Sequence, residues 1–134
     1  MSITLTDQDK TTLRLAAWGA ISLMAAAGAA GSPHRAATHG SIALTSATGL
    51  AGHVLTKAPK GVKYGKSVAE LADQVLPALT AAMSLLKKQT PAEADNFRRT
   101  VIVAIEAAAQ THKGQPSPTM ADMIRKITEA LDAA

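Results

Sequence analysis

Four histidines are the first side chains whose chemistry we consider, and three of them fall in the Ala- and Gly-rich stretch 33–55. On one straight helix, His39 and His53 would point in similar directions but lie ~21 Å apart, too far to share a metal ion. His34 and His39 would diverge by about 140° around the same helix. The His-x-x-x-His and Glu-x-x-His spacings of helical metal sites do not occur in the sequence. We therefore expect surface or structural histidines and neither metal nor cofactor. A helical-bundle metal protein is the alternative.

The second candidate is the basic segment 57–67, in which residues 61–67 read GVKYGKS. It is similar to the phosphate-binding loop G-x-x-x-x-G-K-[ST], but Lys60 stands at the place of the first glycine and a predicted helix, not a strand, precedes it. We reject a nucleotide-hydrolysing site for these reasons. The lysines nevertheless lead into a predicted helix N-terminus, where backbone N–H groups and the helix dipole favour an anion. The candidate anion-binding residues are Lys60, Lys63, Tyr64, Lys66 and Ser67.

The ligand of such a segment would be a phosphate, a phospholipid head group or a nucleic-acid backbone, with Tyr64 available for stacking. A net charge of +4 and a pI near 9.6 favour anionic partners without requiring them. Paired lysines such as Lys87 and Lys88 suit a helix C-terminus, and no helix-turn-helix pattern is recognisable, so nucleic acid is the less favoured partner. The alternative to any ligand is a solvated basic loop.

Enzymatic chemistry finds little support in the sequence. The absence of cysteine excludes a disulfide scaffold, a thiolate nucleophile and Cys-based metal sites. No G-x-S-x-G nucleophile elbow occurs. Most carboxylates fall in predicted first helical turns, where capping explains them; Glu106 is the exception, either at the edge of a buried face or in solvent. We expect a protein that is not an enzyme, with an enzyme using Glu106 or a histidine as the alternative.

Five predicted helices would have to position these residues. Each begins at a Ser or Thr that is followed by an acidic residue or a proline, and the starts are Thr6, Ser32, Ser67, Thr90 and Thr119. The first predicted helix covers about 7–27 and the second about 33–57, while the fourth ends near Gly114. Pro77 lies inside the third, where we expect a kink or a break because proline lacks the backbone donor.

Composition indicates the same architecture. Hydrophobic residues make up 47% of the chain and aromatic residues only 2%, so the core must consist mainly of Ala, Leu, Ile, Val and Met. Alanine favours helices and lets them approach closely. Apolar residues recur every three or four positions in the last three predicted helices. We therefore predict that residues 1–134 form a single all-α domain, a compact bundle of about five helices.

The first two predicted helices have more apolar and small-residue surface than one face can bury. Such a helix lies at the centre of a bundle or at a subunit interface. In the second helix the recurring small residues allow close packing, although its glycines also permit a break near 49–52. We expect self-association, such as a homodimer. The candidate packing or interface residues are Trp18, Ser41, Thr45, Gly49 and Gly52.

The uncharged stretch 15–31 raises the question of targeting. It is shorter than the ~20 apolar residues of a membrane-spanning helix. Asp7 and Asp9 offset Lys10 and Arg14 ahead of it, whereas a signal peptide has a positive region there. We expect a buried helix in a cytoplasmic protein with no membrane partner. A signal peptide or anchor is the alternative.

Residues 68–131 combine apolar periodicity with the segment TPAEADNF at 90–97. This pattern resembles that of small, uncharacterised Ala-rich all-helical bacterial proteins and, more loosely, tellurite-resistance-type helical domains. The resemblance implies a helical fold and no functional residue, since the paired acidic residues of the tellurite-resistance type are not visible. Our first hypothesis is a structural or interaction module that self-associates, for example in a bacterial stress response. The second is a module that binds a phosphorylated ligand or nucleic acid at 57–67.

Overall fold

The structure is a computed structural model that describes residues 5–27, 41–45, 48–57, 67–109 and 118–134. Every regular element within these ranges is an α-helix, which confirms the predicted all-α fold class. The helices are α1 (Asp7–Ala27), α2 (41–45), α3 (Gly49–Leu55), α4 (Val68–Gln89), α5 (Pro91–Ala109) and α6 (Pro118–Asp132).

Helix α1 lies at the centre and packs against α3, α4, α5 and α6. Neighbours on several sides explain why this helix is apolar nearly all round. Its fully or almost fully buried residues are Leu13, Ala16, Ala17, Ala20, Ile21, Leu23 and Met24. Trp18 is half-buried on the edge of the same core. Helices α1 and α4 approach closely at Gly19, where a Cβ atom would lie 2.5 Å from Val75 Cγ2.

The apolar stripes predicted for the last three helices form the other side of the core. On α5 the predicted stripe is buried throughout: Phe97, Val101, Ala104, Ile105 and Ala108. On α6 the buried residues are Met120, Met123, Ile127 and Leu131. On α4 most of the stripe is buried, but Val68 is 40% exposed because it is the first residue of its helix.

Local capping interactions begin two helices as predicted. Thr6 and Asp9 form a reciprocal capping box: Thr6 N donates to Asp9 Oδ2 at 3.1 Å, and Asp9 N donates to Thr6 Oγ1 at 3.0 Å. Ser67 Oγ accepts from Glu70 N at 3.1 Å at the start of α4. The last helix differs from the prediction, because it begins at Pro118 and Thr119 lies inside its first turn.

The second predicted helix, 33–57, is not continuous. Thr48 has an extended backbone (φ −117°, ψ 176°) and α3 begins at Gly49, whose φ is +78°. Asn96 of α5 donates from Nδ2 to the Thr48 carbonyl oxygen at 2.8 Å, which satisfies an acceptor at the break. The break therefore separates α2 from α3; residues 33–40 and 46–47 of the predicted helix lie outside the described residues.

Pro77 does not split its helix, because α4 runs through it from Val68 to Gln89. Of the predicted kink or break, the break does not occur. Proline removes the donor for the carbonyl of Asp73. Both Pro77 and Asp73 are exposed, so water can solvate that carbonyl. The buried residues Val75 and Leu79 on the opposite side of the helix hold both halves against the core.

Among the residues that the structure describes, no helix is long and apolar enough to cross a membrane.

Candidate anion-binding site

Two pairs of basic residues face each other where the C-terminus of α3 meets α1. Lys10 and Arg14 are four residues apart on α1, and His53 and Lys57 are four apart at and just beyond the end of α3. Residues with this spacing share one face of a helix. All four line a single depression of about 220 Å³, together with Val54 and Thr56. We call this depression the basic pocket.

The Arg14 side chain is held in place by the carboxyl-terminal end of α3. The last carbonyl groups of a helix lack intrahelical donors. Arg14 Nε donates to the Val54 carbonyl oxygen at 2.9 Å, and Trp18 Nε1, one turn along α1, donates to that of Leu55 at 3.2 Å. Side chains of α1 therefore cap α3 and fix its orientation. Because Arg14 uses Nε for this bond, its Nη groups remain for a ligand.

The charges of the basic pocket have no carboxylate partner within the described part of the chain. No Asp or Glu lines the pocket, and none of the ion pairs found there includes one of its cations. The carboxylates closest in sequence are Asp7 and Asp9 in the first turn of α1, and Asp9 accepts from the Thr6 backbone. Positive charge is thus concentrated on one side of α1 and α3.

The ion pairs found among the described residues lie on α5 and α6, away from the basic pocket. The hydrogen bond from Arg98 lowers the pKa of Asp132, and Nε of Arg98 lies 2.8 Å from Asp132 Oδ1. Hydrogen bonds from Arg125 and Lys126 likewise lower the pKa of Asp122. These cations are neutralised by neighbours, unlike those of the basic pocket.

A second depression, of about 350 Å³, lies along α5 and is lined by Asp95, Arg98, Arg99, Ile102 and Val103. It contains a carboxylate, and its Arg98 is already paired with Asp132. Its charge is therefore largely compensated, which makes it a weaker candidate for an anion.

Of the anion-binding residues predicted from the sequence, Ser67 is the one that the structure describes. Its hydroxyl caps α4 by accepting from Glu70 N, which gives it a structural role. The other four residues, Lys60, Lys63, Tyr64 and Lys66, lie outside the described residues.

Sequence reasoning missed Lys10, Arg14 and His53 as parts of an anion site, although it included Lys57 in the basic segment. The sequence does contain one signal: Lys10 and Arg14 are four positions apart, and so are His53 and Lys57. Nothing in the sequence indicated that the two pairs would face each other, because 39 positions of the printed sequence separate Arg14 from His53.

The predicted packing and interface residues are distributed over three helices. Trp18 bonds within the chain, Gly52 is buried, and Gly49 lies against α5. Ser41 is half-buried, while Thr45 is exposed and donates from Oγ1 to the Ser41 carbonyl oxygen at 3.0 Å. Trp18, Gly49 and Gly52 therefore contribute to packing inside this chain, and their role between subunits stays a prediction.

Among the described residues, no three His, Asp or Glu side chains are grouped to hold a metal ion. His53 is exposed in the basic pocket, and Glu106 is exposed on α5. His34 and His39 lie outside the described residues.

Comparisons of the chain with protein-family models, with curated proteins and with solved structures gave no match. The resemblance to Ala-rich bacterial and tellurite-resistance-type proteins stays a prediction. The basic pocket is therefore interpreted from its geometry and charge.

Proposed function

We propose that this protein is a binding module for a compact, phosphate-bearing anion, which it holds between α1 and α3. The supporting observation is the basic pocket itself: Lys10, Arg14, His53 and Lys57 line one depression that no described carboxylate lines. Like charges brought together repel one another, and an anion between them removes that cost. The pocket is therefore a position where an anion would stabilise the fold.

The chemistry of the four side chains favours binding over catalysis. Lys and Arg supply hydrogen-bond donors and no acceptors, so they suit an oxyanion and do not suit a metal cation. An arginine whose orientation is fixed by a main-chain carbonyl is well placed to bind phosphate through its outer edge. Along the sequence, Lys57 also begins the basic segment 57–67, so further lysines follow the pocket directly.

The side chain of Trp18 supplies a reporter for the experiment. It is the sole tryptophan, and its indole N–H bonds to Leu55, next to the pocket-lining residue Val54. Sodium phosphate is titrated into the ¹⁵N-labelled protein at constant ionic strength, with chloride as the balancing anion. We expect a saturable shift of the indole signal. Replacing Lys10→Gln and Lys57→Gln together should weaken binding by about tenfold or more, because two charge-assisted contacts are lost.

A matched control removes the same charge elsewhere. Lys88 on α4 and Arg99 on α5 are exposed, and the double change Lys88→Gln and Arg99→Gln lowers the net charge equally. This control should bind phosphate like the unmodified protein. A titration without saturation, or an equal loss in both double variants, would overturn the proposal, because either result indicates non-specific attraction.

Self-association is a second candidate, and one feature of α2 favours it. Ile42 is 58% exposed and lies beside Ser41 and Thr45 of the predicted interface. Contact with a second copy of this chain would remove this apolar side chain from water. Light scattering coupled to size exclusion should show a dimer that Ile42→Glu converts to a monomer. A monomer at every concentration of the unmodified protein would exclude this candidate.

A further inference from the structure

We infer that the basic pocket binds a small phosphomonoester as its dianion, in preference to a phosphodiester. The inference rests on the anion-binding function proposed above. It follows from two features of the pocket: its permanent charge and the arrangement of its donors on two walls.

The permanent charge favours a dianion. Lys10, Arg14 and Lys57 are cations at neutral pH. A phosphomonoester has a charge of about −1.5 to −2 near pH 7, whereas a phosphodiester has a single negative charge. The dianion compensates more of the positive charge, and its attraction to each cation of the pocket is stronger. No described carboxylate lines the pocket to reduce this difference.

The two walls favour a group with several terminal oxygens. Lys10 and Arg14 belong to α1, while His53 and Lys57 come from the end of α3. A monoester has three terminal oxygens that can accept from both walls, and a diester has two. A diester must also lead its chain out of the site in two directions. A depression of about 220 Å³ suits one terminal group better than a continuous strand.

Methyl phosphate and dimethyl phosphate test the ligand class. Each is titrated into the ¹⁵N-labelled protein at pH 8 and constant ionic strength, and its Kd is measured through the Trp18 indole signal. We expect the monoester to bind about tenfold or more tightly, because it has an additional charge and an additional oxygen. Equal affinity for both esters would overturn the assignment to phosphomonoesters. In that case anions still bind, whereas failure of the proposed function would leave no saturable binding of any anion.

Discussion

The indole Nε1 of Trp18 donates a 3.2 Å hydrogen bond to the main-chain carbonyl oxygen of Leu55, which joins the central helix to the end of a helix only seven residues long. The 2.9 Å bond from Arg14 to Val54 lies one turn away. Helix α3 is too short to be stable alone. Its position, and with it one wall of the basic pocket, therefore depends on side chains of α1.

Removing the indole donor should loosen α3. Trp18→Phe keeps an aromatic ring but leaves the Leu55 carbonyl without this partner, so we expect a loss of about 1–2 kcal/mol in the free energy of unfolding. Urea unfolding measures the loss, and hydrogen exchange should show faster opening of α3 than of α4. Ser22→Ala is the control, since the Ser22 hydroxyl donates to the Trp18 carbonyl oxygen of the same helix. Equal exchange rates in α3 before and after Trp18→Phe would contradict the capping role.

Gly19 should not tolerate alanine. Gly→Ala inside a helix ordinarily stabilises by about 0.5–1 kcal/mol. Here the new Cβ atom would lie 2.5 Å from Val75 Cγ2, so the Val75 side chain or the helices must shift. We expect Gly19→Ala to destabilise by about 1–3 kcal/mol. In a Val75→Ala background the same change should be much less harmful, and a double-mutant cycle measures this coupling. Additive effects of the two changes would show that α1 and α4 do not meet at this pair.

Substitution of Gly49 should also destabilise the protein, for a different reason. Its φ of +78° lies in the left-handed region, and a Cβ atom there would lie 2.8 Å from Asn96 Nδ2 and 2.9 Å from Glu93 Oε1. We expect Gly49→Ala to cost about 1–2 kcal/mol in thermal or urea unfolding. A smaller loss is expected in an Asn96→Ala background, which relieves the contact but not the backbone strain. A stabilised Gly49→Ala variant would rule out this backbone conformation.

The pair Arg98–Asp132 should make a small, pH-dependent contribution to stability. The hydrogen bond from Arg98 lowers the pKa of Asp132 in the folded state. A carboxylate of this kind stabilises the fold above its unfolded pKa of ~3.9 and loses that effect as the pH falls through its folded value. The side chains are 38% and 53% exposed, so solvent limits the contribution to less than about 1 kcal/mol.

Asp132→Asn should therefore be slightly less stable than the unmodified protein at about pH 7, and the difference should vanish as the pH falls through the folded pKa of Asp132. Urea unfolding over a series of acid pH values measures it. In an Arg98→Met background the Asp132→Asn change should have no effect at neutral pH. A difference that persists in strong acid would show that Asp132 acts through something other than its charge.

Long-range contacts limited what could be read from the sequence. The second predicted helix covers 33–57, with a break near 49–52 as the alternative that its glycines permit; α3 begins at Gly49, where Asn96 of α5 binds the Thr48 carbonyl oxygen. Proline alone predicts a kink or a break at Pro77, and α4 stays continuous there, with buried residues on the opposite face. In both places the local pattern allowed two outcomes, and contacts distant in sequence accompany the one that is observed.

The sequence by itself determined the class of the fold and the starts of α1 and α4, because capping boxes and apolar spacing act within one or two turns. It also contains two pairs of basic residues, each with a spacing of four positions. Only the tertiary structure decided that Lys10 and Arg14 face His53 and Lys57. That arrangement depends on how α3 lies against α1. Hydrogen bonds from Arg14 and Trp18 to carbonyl groups about 40 residues away fix this position.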